Sequence, residues 1–498
     1  MSETPFPQVI ADGSKPAATG SDVRCRIAPS PTGELHVGNA RTALFNWLFA
    51  RHNGGVFVLR AEDTDLARST KEAIDILVTS LRWLGLDWDE GLEVGGPHPP
   101  YRQMEGVERF AAVANRLLEE GRAYRCYCTP GELEDRRRAA LKRGETPGYD
   151  GRCRTLSPQE RAEFEAEGRP FAIRFQMSGR DVTVHDLIRG PTTFPGAAME
   201  DFIILRSNGV PTYPLAAAYD DVRMQMTHVI RGEDLMPSTP RQLELIAALG
   251  AEPPAYAHLP LIIGPDGQKL SKRFHAVAVE RFREDGILPD ALVNYLALLG
   301  WSKDAKTTFL SREELIEAFD VSHVSRNPAV FDLQKLAWMN GHYIRETPDE
   351  RLAPMVGEFL AASGLDADPA VVARAVPLIK ERIHTLGEAP PMLGFLFGDA
   401  EPDEKARGML GPDREGLLAD ALASLEALGD WNAEAIHEAL NTVKERQGLS
   451  SKQAFQPIRA AVTGTLVSPP LFESMELLGR ERSLERLRRA LDAAVAAT

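Results

Sequence analysis

The chain has 498 residues and a formal net charge of −15, with 43% hydrophobic residues and four cysteines. No apolar run approaches the ~20 residues needed to cross a bilayer, and so few cysteines in so long a chain exclude a disulfide framework. The length predicts roughly three domains, and the absence of basic and apolar signal-peptide regions predicts a cytoplasmic protein without a membrane partner.

Residues 1–21 are rich in Pro, Gly, Ser and Ala without apolar periodicity, and a disordered extension is expected there. An apolar run over 23–28 then breaks at Pro29, Pro31 and Gly33, and is followed by a helical pattern over 39–52, a second apolar run over 55–60 and a helical pattern over 71–84. Strand and helix alternating in this way predict an α/β fold with a doubly wound parallel (Rossmann-type) nucleotide-binding sheet. Residues 121–206 interrupt the alternation with cysteines, basic residues and short strand-like pieces such as 171–177, so an inserted domain is expected. The sheet is expected to resume over 210–231. Strand signals become sparse from residue 280, and helical patterns at 288–299, 312–319, 348–362, 415–428 and 482–496 predict an all-helical C-terminal half.

Two motifs carry the chemistry. HVGN at 36–39 stands where a strand passes through a tight loop into a helix. Free helix N–H groups and a close-approaching glycine then face a phosphate, and an imidazole adds a donor. His36 and Gly38 are the nucleotide candidates. A structural cap is the alternative for the histidine. KLSKR at 269–273 follows the Gly-rich turn at 264–267 and places Lys269 and Lys272 where mobile ammonium groups can offset developing phosphate charge. In-line displacement at phosphorus requires cations and N–H donors more than a protein nucleophile. The net acidity argues against nucleic acid on average, although the basic runs 136–138 and 480–489 could form a local face; solvated helix surface is the competing reading.

SPTGELHVGNARTALFNWLFAR and KLSKR resemble the HIGH and KMSKS motifs of class I aminoacyl-tRNA synthetases. VLRAEDTD, YDGRCR, IRGEDL and NYLALLGWS narrow the resemblance to bacterial glutamyl-tRNA synthetases, over almost the whole chain after residue 24. That resemblance implies a catalytic domain at 22–105 and 206–282, an acceptor-stem-binding insertion at 106–205, a helical connecting domain at 283–346 and a helical anticodon-binding domain at 347–498. It implies ATP and Mg²⁺ as requirements, with Pro29, Ser30, Thr32, Gly33, His36, Gly38, Asn39, Lys269, Ser271, Lys272 and Arg273 around the nucleotide. Arg26, Ala28, Ser30, Glu62, Tyr213 and Arg231 fall on the glutamate-contacting positions, the arginines facing carboxylates and Glu62 the ammonium. A salt bridge to Asp234 or Glu233 is the structural alternative for Arg231, and a helix cap for Glu62 and Asp63. Ala217 and Ala218 depart from the bulkier or polar residues usual in the family.

Cys126, Cys128 and Cys153 cluster in the insertion, which suits a structural zinc. The resemblance implies a fourth ligand where this chain has Thr155, a poor ligand; Tyr149 is the substitute, and a degenerate site without metal is the alternative. Trp338, Arg459, Ser468, Pro469 and Phe472 lie in segments matched to anticodon contacts, with burial in the core as the competing reading for the two aromatics. The implied partners are L-glutamate and tRNA(Glu), with tRNA(Gln) left open, acting on a monomer. Two rival functions are an adenylate-forming nucleotidyltransferase on a non-RNA substrate and a tRNA-binding paralogue that does not charge.

Overall fold

The computed structural model describes residues 20–31, 33–65, 69–144, 148–270 and 277–496. They form two compact units, one of 1–281 with 292–332 and one of 282–291 with 333–498.

In the first unit β1 (Arg24–Ile27), α1 (Val37–Asn53), β2 (Val56–Leu59), α2 (Lys71–Trp83) and β3 (Glu90–Gly91) alternate as expected. Helix α1 is capped at its start by His36 and ends where Gly54 turns left-handed at φ 65°, a conformation that costs glycine little. It is buried on most sides, between the sheet and the helix Arg312–Ala318. There follow α3 (Val107–Glu119), β4 (Ala123–Cys126), α4 (Pro130–Lys142), α5 (Pro158–Ala166), β5 (Ala172–Phe175), β6 (Val182–Asp186), β7 (Gly190–Phe194), β8 (Phe202–Leu205), α6 (Tyr213–Arg223), β9 (His228–Gly232), α7 (Thr239–Ala248) and β10 (Ala255–Leu259).

Strands β1, β2 and β3 pair in parallel, and β9, β10 and β6 form a second parallel set. The sets meet where Thr227, just before β9, donates from its amide to the Arg24 carbonyl at 2.9 Å. The strand order 3-2-1-9-10-6-7 therefore reverses direction of growth between β1 and β9, which opens a crevice beyond the carboxyl ends of these strands.

Two segments depart from expectation. The range 210–231 is mostly helix, not strand, because Pro214 suits a first helical turn and the alanines that follow favour helix; only His228–Gly232 is extended. Ala217 and Ala218 of α6 are fully buried. The β6–β7 hairpin, inside the range expected for the insertion, pairs with β10 of the parallel sheet, whereas β4, β5 and β8 make a separate antiparallel sheet.

The second unit is helical throughout its described residues, with Asp349–Ala362 packed on Pro369–Ile379 and Glu415–Glu426 on Arg480–Ala496. Arg482 and Arg486 of the last helix donate inward to the carbonyls of Leu396, Gly398, Phe395 and Val462. Two of the five arginines of the 480–489 run are thus internal scaffolding, while Arg488 and Arg489 pair with Glu426 and Glu401 at the surface. No described helix is long and apolar enough to cross a membrane.

His228 packs edge-on to Phe49, and burial lowers its pKa from 6.5 to about 4. The unfolded chain therefore takes up a proton that the native state refuses, and stability falls as pH drops from 6.5 towards about 4. His228→Leu should remove about 3 kcal/mol of the acid-induced loss, read from urea unfolding at neutral pH and near pH 4. An unchanged difference between the two pH values would show that His228 does not titrate between the two states.

Candidate active site

A cleft of about 600 Å³ lies beyond the ends of β1, β2, β9 and β10. One wall is the start of α1, with His36, Gly38 and Asn39; the hairpin carrying Lys269 adds a second, and Arg26, Glu62, Tyr213 and Arg231 a third. Ala28 and Pro29 also line it. Ser30 and Gly33 do not; Gly33 has φ 130°, so its role is to permit the turn before HVGN. Thr32, Ser271, Lys272 and Arg273 lie outside the described residues.

The backbone brings the two motifs together. The Val37 amide donates to the Val277 carbonyl and the Val279 amide to the Leu35 carbonyl, both at 2.9 Å, so the chain leaving KLSKR returns to pair with HVGN. On the other side of that motif, Leu270 donates to Ile262 at 3.1 Å, closing a hairpin over the turn in which Gly264 bonds Gln268. His36 Nδ1 accepts the Gly38 amide at 3.1 Å, which places the proton of a neutral ring on Nε2. The histidine is both cap and cleft wall. Lys269 is exposed, with Nζ 2.9 Å from Asp234.

Beneath the wall formed by Arg26 and Glu62 lies a buried quartet. Asp221 accepts from Arg26 through both carboxylate oxygens, at 3.1 and 3.2 Å, and from Arg60 at 2.8 Å; Arg60 reaches Glu62 at 3.0 Å. Arg60 is 0% exposed. Burial raises the Glu62 pKa against the opposing pull of Arg60 and Arg26, while the same two guanidiniums hold Asp221 below the usual carboxylate range despite its burial. Glu62 is therefore not a helix cap; it is Asp63 that accepts a backbone amide, from Met104 at 2.9 Å.

Arg231 does not pair with Asp234 or Glu233, which bond Lys269 and Arg189. Its fork donates from Nε to His258 at 3.1 Å, from Nη1 to the Tyr213 hydroxyl at 3.1 Å, and from Nη2 to Thr239 at 2.8 Å. These partners are neutral. Arg41 is comparable: it donates to the carbonyls of Leu299, at 3.1 Å, and Pro260, and burial lowers its pKa to about 10. Two buried guanidiniums thus border the cleft without a carboxylate bonded to them among the described residues. A positive, partly desolvated cleft of this size suits an anionic ligand.

Sequence reasoning overlooked Arg60, Asp221, His258, Asp186 and Arg41. The doubled aspartate of YDD on a buried helix face was the available signal for Asp221. Nothing in the local pattern marks Asp186.

The cysteine cluster lies in the first unit, away from this cleft in sequence. Its three sulfur atoms are within 4.8 Å of one another, Cys128 and Cys153 being 3.5 Å apart. Tyr149 Oη accepts the Cys153 amide at 2.9 Å and stands 3.8 Å from the Cys126 sulfur, whereas Thr155 bonds the Arg152 carbonyl. Cys153, together with Arg174 at 3.4 Å, holds Cys126 below the usual thiol range. In the second unit Trp338 is 49% exposed. Arg459 donates to Ser468 and, at 2.6 Å, to the Pro469 carbonyl, while Phe472 stacks on His437 at 4.5 Å. Ser468 and Pro469 are buried.

Residues 22–338 match the family described as "tRNA synthetases class I (E and Q), catalytic domain", and 351–491 match "Anticodon binding domain". These two matches make the chain a class I aminoacyl-tRNA synthetase. The chain is 46% identical to the glutamate–tRNA ligase of Moorella thermoacetica over 94% of its length and 98% of the relative's, and 47% identical to that of a Nocardioides species with the same coverages. The crystal structure of a glutamate tRNA ligase from Elizabethkingia meningosepticum in complex with its amino acid superposes with a TM-score of 0.84 at 32% identity, covering 95% of this chain and all of that one. The chain belongs to the glutamate–tRNA ligases.

Removing one member of the quartet leaves two buried guanidiniums poorly compensated. Asp221→Ala should cost about 3–5 kcal/mol in unfolding free energy. A loss below about 1 kcal/mol, the worth of an exposed pair, would show that water reaches the cluster.

Proposed function

We propose that the cleft activates L-glutamate with ATP and Mg²⁺ and then passes the glutamyl group to the 3′-terminal adenosine of tRNA(Glu). The observation that carries this reading is the convergence of HVGN, Lys269, Glu62 and Arg231 on one cleft. The glutamate α-carboxylate attacks the ATP α-phosphorus in line, and glutamyl-adenylate and pyrophosphate result. The ribose 2′-hydroxyl of the terminal adenosine then attacks the activated carbonyl and releases AMP.

His36, Gly38, Asn39 and the KLSKR lysines, Lys269 and Lys272, bind the nucleotide and offset its developing charge, with Pro29, Ser30, Thr32, Gly33, Ser271 and Arg273 around them. Arg231 and Arg26 receive carboxylates and Glu62 receives the ammonium, Ala28, Ser30 and Tyr213 completing the pocket. A guanidinium that meets only neutral partners favours a carboxylate over a carboxamide, which is the distinction between glutamate and glutamine. The domains are read as 22–105 with 206–282 for catalysis, 106–205 for the acceptor stem, 283–346 as connector and 347–498 for the anticodon. Trp338, with its exposed indole, suits stacking on an unpaired base; Arg459, Ser468, Pro469 and Phe472 are read as further anticodon-side residues. The enzyme is read as a cytoplasmic monomer, and charging of tRNA(Gln) depends on its anticodon contacts.

Glutamate-dependent ATP–pyrophosphate exchange tests the reading. Exchange is expected with tRNA(Glu) present; its absence with and without tRNA would overturn the catalytic assignment.

Three thiols whose sulfur atoms lie within 4.8 Å of one another, with the Tyr149 hydroxyl 3.8 Å from that of Cys126, fit a zinc ion in kind and number. Cys126, Cys128, Cys153 and Tyr149 would hold it, and it would supply structural cross-linking, not chemistry. Protein purified without chelator should carry one zinc, and its removal should lower the melting temperature. Metal-free protein with a melting temperature indifferent to chelator would leave the cluster as plain thiols.

A further inference from the structure

Arg231, His258 and Asp186 stand side by side on three neighbouring strands. In the parallel register His258 of β10 lies opposite Arg231 of β9, and Asp186 of β6 lies opposite Tyr256, two residues before His258. His258 Nδ1 is 2.6 Å from Asp186 Oδ2, and all of these side chains are buried.

The proton positions follow from counting donors. Asp186 Oδ1 accepts the amides of Ile188 at 2.9 Å, Arg189 at 2.8 Å and His258 at 3.3 Å. Oδ2 is left for the imidazole. An ionised carboxylate only accepts, so Nδ1 must carry the hydrogen and Nε2 the lone pair. Two donors converge on that lone pair: Arg231 Nε at 3.1 Å and the Thr239 hydroxyl at 3.2 Å. The opposite tautomer would set an N–H against the Arg231 N–H. Burial lowers the His258 pKa, consistent with the neutral ring that this arrangement needs.

We propose that Asp186 and His258 are positioning residues for amino-acid selection: Asp186 fixes the His258 tautomer, and the Nε2 lone pair orients the Arg231 fork towards the substrate's side-chain carboxylate. The inference rests on the reading of Arg231 as the carboxylate-binding group. It assigns that role to a residue of the β6–β7 hairpin, so the pocket depends on a strand supplied from between the elements of the antiparallel sheet. Arg231 then recognises a carboxylate with one orientation of its fork: Tyr213 holds one Nη1 hydrogen, Thr239 and the Leu235 carbonyl hold those of Nη2, and the second Nη1 hydrogen is left for the substrate.

Asp186→Asn tests the tautomer directly. Three amides at Oδ1 retain the amide oxygen there and turn the new NH₂ towards Nδ1. The ring must then move its hydrogen to Nε2, and Arg231 Nε loses its acceptor; the same logic governs carboxylate-to-amide changes behind a catalytic histidine. The full-length variant, assayed by aminoacylation at saturating tRNA(Glu) transcript, should raise KM for glutamate roughly 10- to 100-fold, the equivalent of one buried unmatched donor. KM for ATP should change less than about 3-fold, since the nucleotide wall is untouched.

His258→Phe supplies the discriminating background. Its ring offers Arg231 no acceptor whichever residue stands at 186, so Asp186→Asn should add little further loss in KM for glutamate in that background. Equal losses in both backgrounds would overturn the relay. Should the phenylalanine variant fail to fold, two-bond ¹H–¹⁵N spectra of histidine-labelled protein give the same answer: the His258 hydrogen should move from Nδ1 to Nε2 in Asp186→Asn, and an unmoved hydrogen overturns the relay. Arg231→Gln separates this inference from its premise. If that variant raises KM for glutamate while Asp186→Asn does not, the relay alone fails; if Arg231→Gln leaves KM unchanged, the carboxylate assignment fails with it.

Discussion

One carboxylate organises the amino-acid side of the cleft. Asp221 of α6 accepts from Arg26 at the end of β1 and from Arg60 just after β2, and Arg60 in turn holds Glu62. Three chain segments distant in sequence are thereby fixed at the crevice where strand order reverses. Each ion would be costly alone in so dry a place. Together they are nearly neutral, and the directional bonds specify where each side chain ends. Glu62 can face an ammonium because Arg60 keeps it in position, and Arg26 can line the cleft because Asp221 occupies two of its nitrogens.

The other half of the cleft obeys the opposite rule. Arg231 and Arg41 are buried, yet the groups bonded to them are an imidazole, hydroxyls and carbonyls. Positive charge accumulates there without internal compensation. A ligand carboxylate or phosphate restores the balance, so the cleft gains in binding what it forgoes in the free protein. This division between a neutral quartet and an uncompensated pair gives the cleft a polarity, with its free positive charge on the Arg231 and Arg41 side.

The alternation of β1, α1, β2 and α2 was legible because apolar period and turn residues agree at each step. The stretch 210–231 was not, since the alanine run of α6 carries no strong period and its helix is decided by packing against Phe175, Leu245 and their neighbours. The motifs His36–Asn39 and Lys269 were legible as chemistry, and Arg26, Glu62, Tyr213 and Arg231 through resemblance. Their supports were not. Asp221 is 195 residues from Arg26, and Asp186 is 72 from His258; no local pattern encodes a partner that only strand order makes adjacent. The arginines at 482 and 486 fit neither sequence reading of that basic run, an RNA-facing patch or solvated helix surface, because their donors lie on internal carbonyls.

These long-range supports also explain how one fold can hold buried donors in a fixed direction. Discrimination between a carboxylate and its carboxamide depends on the direction of a few N–H bonds more than on the volume of the pocket. A guanidinium on a single strand, free to rotate, could swing its donors away from the cleft. Arg231 is denied that freedom by contacts from β10 through His258, from α6 through Tyr213 and from α7 through Thr239. Its N–H groups keep one direction because several elements converge on one guanidinium, and loosening any of them would let that direction drift.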